Sequence, residues 1–243
     1  MGFDLDAAIV FLAGHARILE RRRMRCLLGD AGPGEVLAAL DAYRNPDGGY
    51  GWGLEPDLRS ATSQPVAAMH ALEVLAEVRD TESPRPLELC DWLAAHSLPG
   101  GMPFALPHDD TTGNAPHWTN ADPSVPALMM TAQLAAQAHR LARHRTDLAA
   151  HPWLVAATAT CLDGIEGLTE APPAMDLMSL LRFLDAAAPV SPRAGELAAR
   201  LAAHVPAGKP MSVAGGADGE VLHLLDFSPT RTRPPAPRSP PTP

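Results

Sequence analysis

DAYRNPDGGYGWGLEPDLRSATSQPVAAMHALEVLAEV, residues 41–78, contains a helix end, an aromatic glycine turn, two acids and the start of a second helix. Asn45-Pro46-Asp47-Gly48 suits a tight turn, because proline presets φ and Asn and Asp bond their own backbone. Gly48, Gly49, Gly51 and Gly53 permit positive φ or close approach of other chain segments. Tyr50 and Trp52 stand two apart, so an extended segment would send both rings to the same side. Beyond Glu55-Pro56-Asp57, Thr62 or Ser63 is placed to cap a helix with Pro65 in its first turn. In that helix Val66, Met69, Leu72 and Leu75 form an apolar face, and Glu73 and Glu77 mark the opposite one.

Working outward, the same arrangement recurs. Residues 33–79 and 84–144 each read as helix, glycine pair with a following aromatic, polar loop, and proline-started helix. The second glycine segment is Pro99-Gly100-Gly101-Met102-Pro103-Phe104. A spacing near fifty residues fits stacked helical hairpins. Towards the N-terminus one helix is expected from Asp4 to Leu28, stopped by Gly29, with Arg21, Arg22, Arg23 and Arg25 solvated in its last turn. Towards the C-terminus Asp122 is expected to cap a helix from Pro123 to His144, and proline-started helices follow at 152, 172 and 192. This makes about eight helices, and an all-α fold in one domain over residues 1–227. Residues 228–243 hold seven prolines and three arginines in sixteen positions, too few apolar groups for a core, and read as a disordered tail.

Composition bounds the function. Hydrophobic residues make up 46% of the chain, which excludes general disorder. A net charge of −9 argues against nucleic acid as a partner. Cys26, Cys90 and Cys161 are odd in number and far apart, which fits reduced thiols in a cytoplasmic protein. The apolar run from Ala7 to Ala13 is too short to span a bilayer, so no transmembrane segment is expected. Gly-x-Ser-x-Gly and Gly-Lys-Ser/Thr signatures are absent.

The turn at Asn45 to Trp52, with its repeat at Gly100 to Phe104, resembles the glycine-aromatic repeat of the prenyltransferase and squalene-cyclase (terpenoid cyclase) superfamily. The resemblance covers roughly residues 33–187 and implies an α/α toroid, here an incomplete ring. It further implies an apolar small-molecule partner such as an isoprenoid, held in a cavity between inner helices that Met69, Leu72, Leu128 and Met129 would line. Pro107-His108-Asp109-Asp110-Thr111 is similar to the acid motif of class II cyclases, with Pro in place of the first Asp. On that resemblance Asp109 would be the proton donor, with Asp110 beside it. Glu55 and Asp57, just before an inner-looking helix, are the alternative catalytic pair, as acids or as holders of Mg2+ with a diphosphate. Tyr50, Trp52, Met69, His117 and Trp118 are the expected substrate contacts. The zinc spacing of protein prenyltransferases, an Asp five residues before a Cys with a later His, is missing, so no metal ligands are assigned. A non-catalytic helical module that binds a protein or peptide is the alternative reading.

Overall fold

The structure, a computed structural model, describes residues 4–108, 110–206 and 208–227. Helices dominate: α1 (Leu5–His15), α2 (Ile18–Leu28), α3 (Pro33–Leu40), α4 (Pro65–Glu77), α5 (Arg85–His96), α6 (Pro116–Thr119), α7 (Leu128–Ala142), α8 (Thr146–Ala149), α9 (Pro152–Glu166), α10 (Ala174–Ala187), α11 (Pro192–Ala202) and α12 (Leu224–Phe227). A short 3-10 turn, Asp41–Tyr43, extends α3. One antiparallel pair, β1 (Met211–Ser212) with β2 (Val221–Leu222), is the extent of sheet among the described residues. The fold is all-α. The expected Pro-rich tail lies outside the described residues.

Proline at the first turn opens α3, α4, α9 and α11, where its missing N–H costs no intrahelical bond. The helices pack in two layers. α4 lies against α7 and α7 against α10, while α5, α9 and α11 follow one another behind them. One contiguous core runs between the layers, from Leu19 and Leu40 through Leu72, Leu93, Leu134 and Phe183 to Leu201 and Phe227. Ala68, Ala71, Ala132, Ala135 and Ala138 are fully buried where α4 and α7 meet neighbours, and small side chains let the helix axes approach.

Both glycine segments are tight turns, the first between α3 and α4 and the second between α5 and α7. In the first, Asn45 N–H donates to Gly49 O and Gly51 N–H to Tyr43 O. Asp47 is its hub: its carboxylate accepts from Gly49 N–H (2.9 Å), Ser63 Oγ (2.8 Å) and Trp92 Nε1 of α5 (3.1 Å). In the second, Leu98 and Gly101 exchange both backbone bonds around Pro99-Gly100, with Gly100 at φ +100°. Proline followed by a positive-φ glycine is the signature of a type II turn.

Several expectations are corrected. The segment 4–28 is two helices, because Ala16 and Arg17 are extended. Arg17 donates there to Gly53 O and Leu54 O and pairs with Glu20, so a tertiary anchor overrides helix continuation. The arginines of α2 do more than meet solvent. Arg22 pairs with Glu35 of α3, and Arg23 with Glu73 and Glu77 of α4. Gly29 does stop α2, in the left-handed conformation at φ +84°. Neither Thr62 nor Ser63 caps α4; the cap position is Gln64, and Ser63 is spent on Asp47. α7 begins at Leu128 because Asp122 turns back onto Ser124, and Ala127 N–H donates to Met102 O beside a Pro103–Pro126 bridge.

Gly195, in the first turns of α11, has open space where a Cβ would stand. Gly195→Ala removes a flexible residue from a helix without a clash, and should raise stability by about 0.5–1 kcal/mol. Urea denaturation reads this as a higher midpoint at unchanged slope, and a lower midpoint would refute it.

Candidate functional site

The loops after the two glycine turns are knitted together at the start of α4. Gln64 grips Leu106 with both ends of its amide, donating to its O (3.2 Å) and accepting from its N–H (2.9 Å). Ala115 N–H donates to Asp57 O (2.8 Å), and Arg59 N–H to Asn114 Oδ1 (2.6 Å). The result is a shelf on which two clusters of side chains stand side by side.

The first group is a row. His70 on α4 bonds Glu55 Oε2 through Nε2 (2.8 Å) and faces Glu73 Oε2 through Nδ1 (3.4 Å). His70 and Glu73 lie at i and i+3 of one helix, so they share a face. Arg23 stands 3.6 Å from Glu73. Burial alone would lower the His70 pKa, but the two carboxylates outweigh it and raise it to about 9. Burial works to raise Glu55, yet the His70 bond and charge win, and both Glu55 and Glu73 are held below the usual carboxylate range. At neutral pH the row is carboxylate, imidazolium, carboxylate.

The second group is aromatic. Asp57 Oδ1 accepts from Trp118 Nε1 (2.7 Å), and Asp57 Oδ2 lies 3.7 Å from His117 Nε2. Phe104 stacks on Trp118 with centroids 4.6 Å apart and meets the His117 ring edge-on at 6.3 Å. The groups are contiguous, since Asp57 N–H points to Glu55 Oε1 at 3.5 Å.

Four residues expected from the sequence, Glu55, Asp57, His117 and Trp118, are therefore brought together. The others are not. Asp109 lies outside the described residues. Asp110 is exposed in a turn, its carboxylate taking Thr112 N–H. Tyr50 is wholly buried, its ring in the core and out of reach of a solvent-side ligand. Burial also pushes its phenol pKa far up. Trp52 is 59% exposed and donates to Asn45 Oδ1. The two rings part because Trp52 takes φ +56°, which ends the extended geometry that would have aligned them. Met69 and Leu128 are partly buried against the core and Leu72 is fully inside it.

Sequence reasoning missed His70, Glu73 and Phe104. The signal was present for the pair on α4, as a polar i, i+3 couple on the face opposite Leu72 and Leu75. Phe104 was marked as the aromatic of the second glycine segment, but not as a site residue. Among the described residues no group of three or more His, Cys, Asp or Glu side chains is arranged to hold a metal ion. Cys90 and Cys161 are buried free thiols with pKa values pushed up to about 12 by burial, which makes them inert packing groups. No helix among the described residues is long and apolar enough to cross a membrane. No protein-family model matches the chain, and comparison with curated proteins and with solved structures returned no match.

Proposed function

We propose that this chain is an α/α-toroid-like protein that binds an isoprenoid diphosphate, or a ligand of like chemistry, on the shelf between Glu55, His70 and Phe104. The layered helices α4, α7 and α10 with α5, α9 and α11 behind them support the toroid-like reading. The observation that carries the ligand reading is the contact between a charged row and an aromatic stack within one shelf. An imidazolium of pKa about 9 is far too weak an acid to protonate an alkene, and Glu55 is ionised. Initiation by alkene protonation at this shelf is therefore disfavoured, and ionisation of an allylic C–O bond is the chemistry that fits. His70 would donate through Nδ1, exchanging its longer 3.4 Å contact with Glu73 for the departing diphosphate, which takes the bonding electron pair. The Phe104 face and the Glu55 and Asp57 carboxylates would stabilise the allylic cation. Mg2+ arriving with the diphosphate needs only one or two protein carboxylates, and Asp57 is the more open of the pair.

The test is binding and turnover of geranyl, farnesyl and geranylgeranyl diphosphates, with and without Mg2+, by wild type, Glu55→Gln, Asp57→Asn and His70→Asn. Each substitution should cut turnover by roughly 100-fold while the fold persists. Turnover that survives all three removes the acid-base assignment. Wild-type protein that neither binds nor converts any of them leaves the second reading, a non-catalytic helical interaction module. One observation favours that alternative: α1 has no buried residue and presents apolar side chains to solvent.

A further inference from the structure

The helical array ends in two unlike apolar surfaces. At its first end stands α1, a ridge that packs chiefly on α2 and buries none of its residues. Ala7, Val10, Phe11 and Gly14 follow one another at i, i+3, i+4 and i+7 on its outward face. Val10 is 72% and Phe11 61% exposed, and Leu5 and Ile9 flank them. At the other end, beyond α10, is a groove of about 600 Å³ between α10, α11 and α12. Leu181, Leu184, Ala198, Ala202, Val205 and Phe227 are among its walls, and Asp185 is its one charged lining residue among the described residues. Neither surface belongs to the shelf described above.

One local charge pairing is available as well. Asp4 and Asp6 flank the start of α1. The groove continues at Gly208 and Leu224 into a smaller hollow lined by Lys209 and His223. Arg182, exposed on α10, borders the same end and donates to Asp226 O. Lys209 is the single lysine of the chain. Among the described residues Lys209 and Arg182 are the cations at this end, beside the carboxylates of Asp185 and Asp226. An apolar ridge that begins in two carboxylates and an apolar groove with a lysine at one mouth thus stand at the first and last steps of one stacked array. Stacked helical repeats need their terminal faces covered, because each unit buries its apolar side only against a neighbour.

We infer that α1 of one molecule seats in the α10–α12 groove of a second copy, a head-to-tail contact that joins the last step of one array to the first of the next. Such an interface is heterologous, so it builds rings or open chains and not a closed two-fold dimer. The ridge supplies Val10 and Phe11 as the buried anchors, with Asp4 and Asp6 turned to Lys209.

Light scattering coupled to gel filtration tests this directly. Wild type should give species larger than a dimer at raised concentration. Val10→Asp spoils the ridge and Ala199→Trp fills the groove; both alter exposed positions, and each variant alone should run as a monomer. Mixed in equal amounts, they should form a 1:1 dimer and no more, since one intact ridge then faces one intact groove. A carbodiimide, which joins a carboxylate to an amine with loss of water, should link Asp4 or Asp6 to Lys209 in a covalent dimer of wild type. Wild type that stays monomeric, a Val10→Asp variant that still assembles, or a mixture that stays monomeric would each overturn the inference. Ala199→Trp that dimerises alone would show that α1 pairs with α1 instead, and would overturn it equally.

Discussion

Gly51→Ala should destabilise the protein by about 3 kcal/mol or more and lower its melting temperature by on the order of 10 °C. The reason is distance, not a left-handed backbone. A Cβ at Gly51 would lie 2.3 Å from Thr62 O, 2.5 Å from Ala61 O and 2.8 Å from Thr62 C, all backbone atoms of the segment that leads into α4. No rotamer change can relieve a contact with backbone, so the chain from 55 to 64 must move away as a unit. That movement would loosen Gln64 N–H from Tyr50 O and Ser63 from Asp47, the bonds that fix the entry to α4. Because Glu55 and Asp57 ride on the displaced segment, the same substitution should also relax the bond between Glu55 and His70. Calorimetry supplies the melting temperature, and proton NMR of the His70 ring supplies its pKa. A shift of less than about 2 °C with the ring titration unchanged would mean that the turn does not hold this loop. Gly195→Ala serves as the opposing control, because its new methyl group meets nothing.

What could be read from the chain alone follows the range of the forces involved. The glycine turns and the proline-led starts of α3, α4, α9 and α11 depend on residues within a few positions, and they were legible. The meeting of Glu55 and Asp57 with His117 and Trp118 was not read from the chain, which offered the acid pair and the two rings separately and only through a resemblance. Other features set by distant partners were not legible either. The break between α1 and α2 exists because Arg17 reaches Gly53 and Leu54, thirty-six and thirty-seven positions away. The late start of α7 depends on Met102 and Pro103, which no window around Asp122 contains. The hollow expected around Leu72 requires knowing which faces meet. Leu72 is fully buried in the core, and an apolar groove of about 600 Å³ lies where α10, α11 and α12 meet. His70 escaped notice for a related reason: its chemistry comes from Glu55, fifteen positions earlier, and a histidine on a polar helix face carries no such label.

That histidine makes the pH dependence of stability a sharp measurement. Its folded pKa, about 9, lies above the ordinary 6.5, so the folded state keeps a proton that the unfolded chain gives up. The stabilisation is fully present below pH 6.5, shrinks as the unfolded imidazole deprotonates, and is exhausted once pH passes about 9. A gap of this size in a mostly buried group corresponds to on the order of 2–3 kcal/mol. The carboxylates act at the other limit. Glu55 and Glu73 sit below their ordinary 4.5, so their contribution is whole above that value and fades as pH falls through their lowered folded values. Wild type should therefore hold its stability between about pH 5 and 6.5, and lose on the order of 2–3 kcal/mol between pH 6.5 and 10. Urea midpoints across that range would record the loss. His70→Gln keeps a polar side chain but cannot titrate, so its curve should be nearly flat over the alkaline limb. Glu55→Gln should move the alkaline limb to lower pH, because it removes the nearer of the two charges that keep the imidazole protonated. If the wild-type and His70→Gln curves run parallel from pH 6.5 to 10, the imidazolium is not held by its neighbours in solution. Leaving-group donation from His70 would then lose its basis, while the fold and the head-to-tail contact, which do not depend on this charge, would stand.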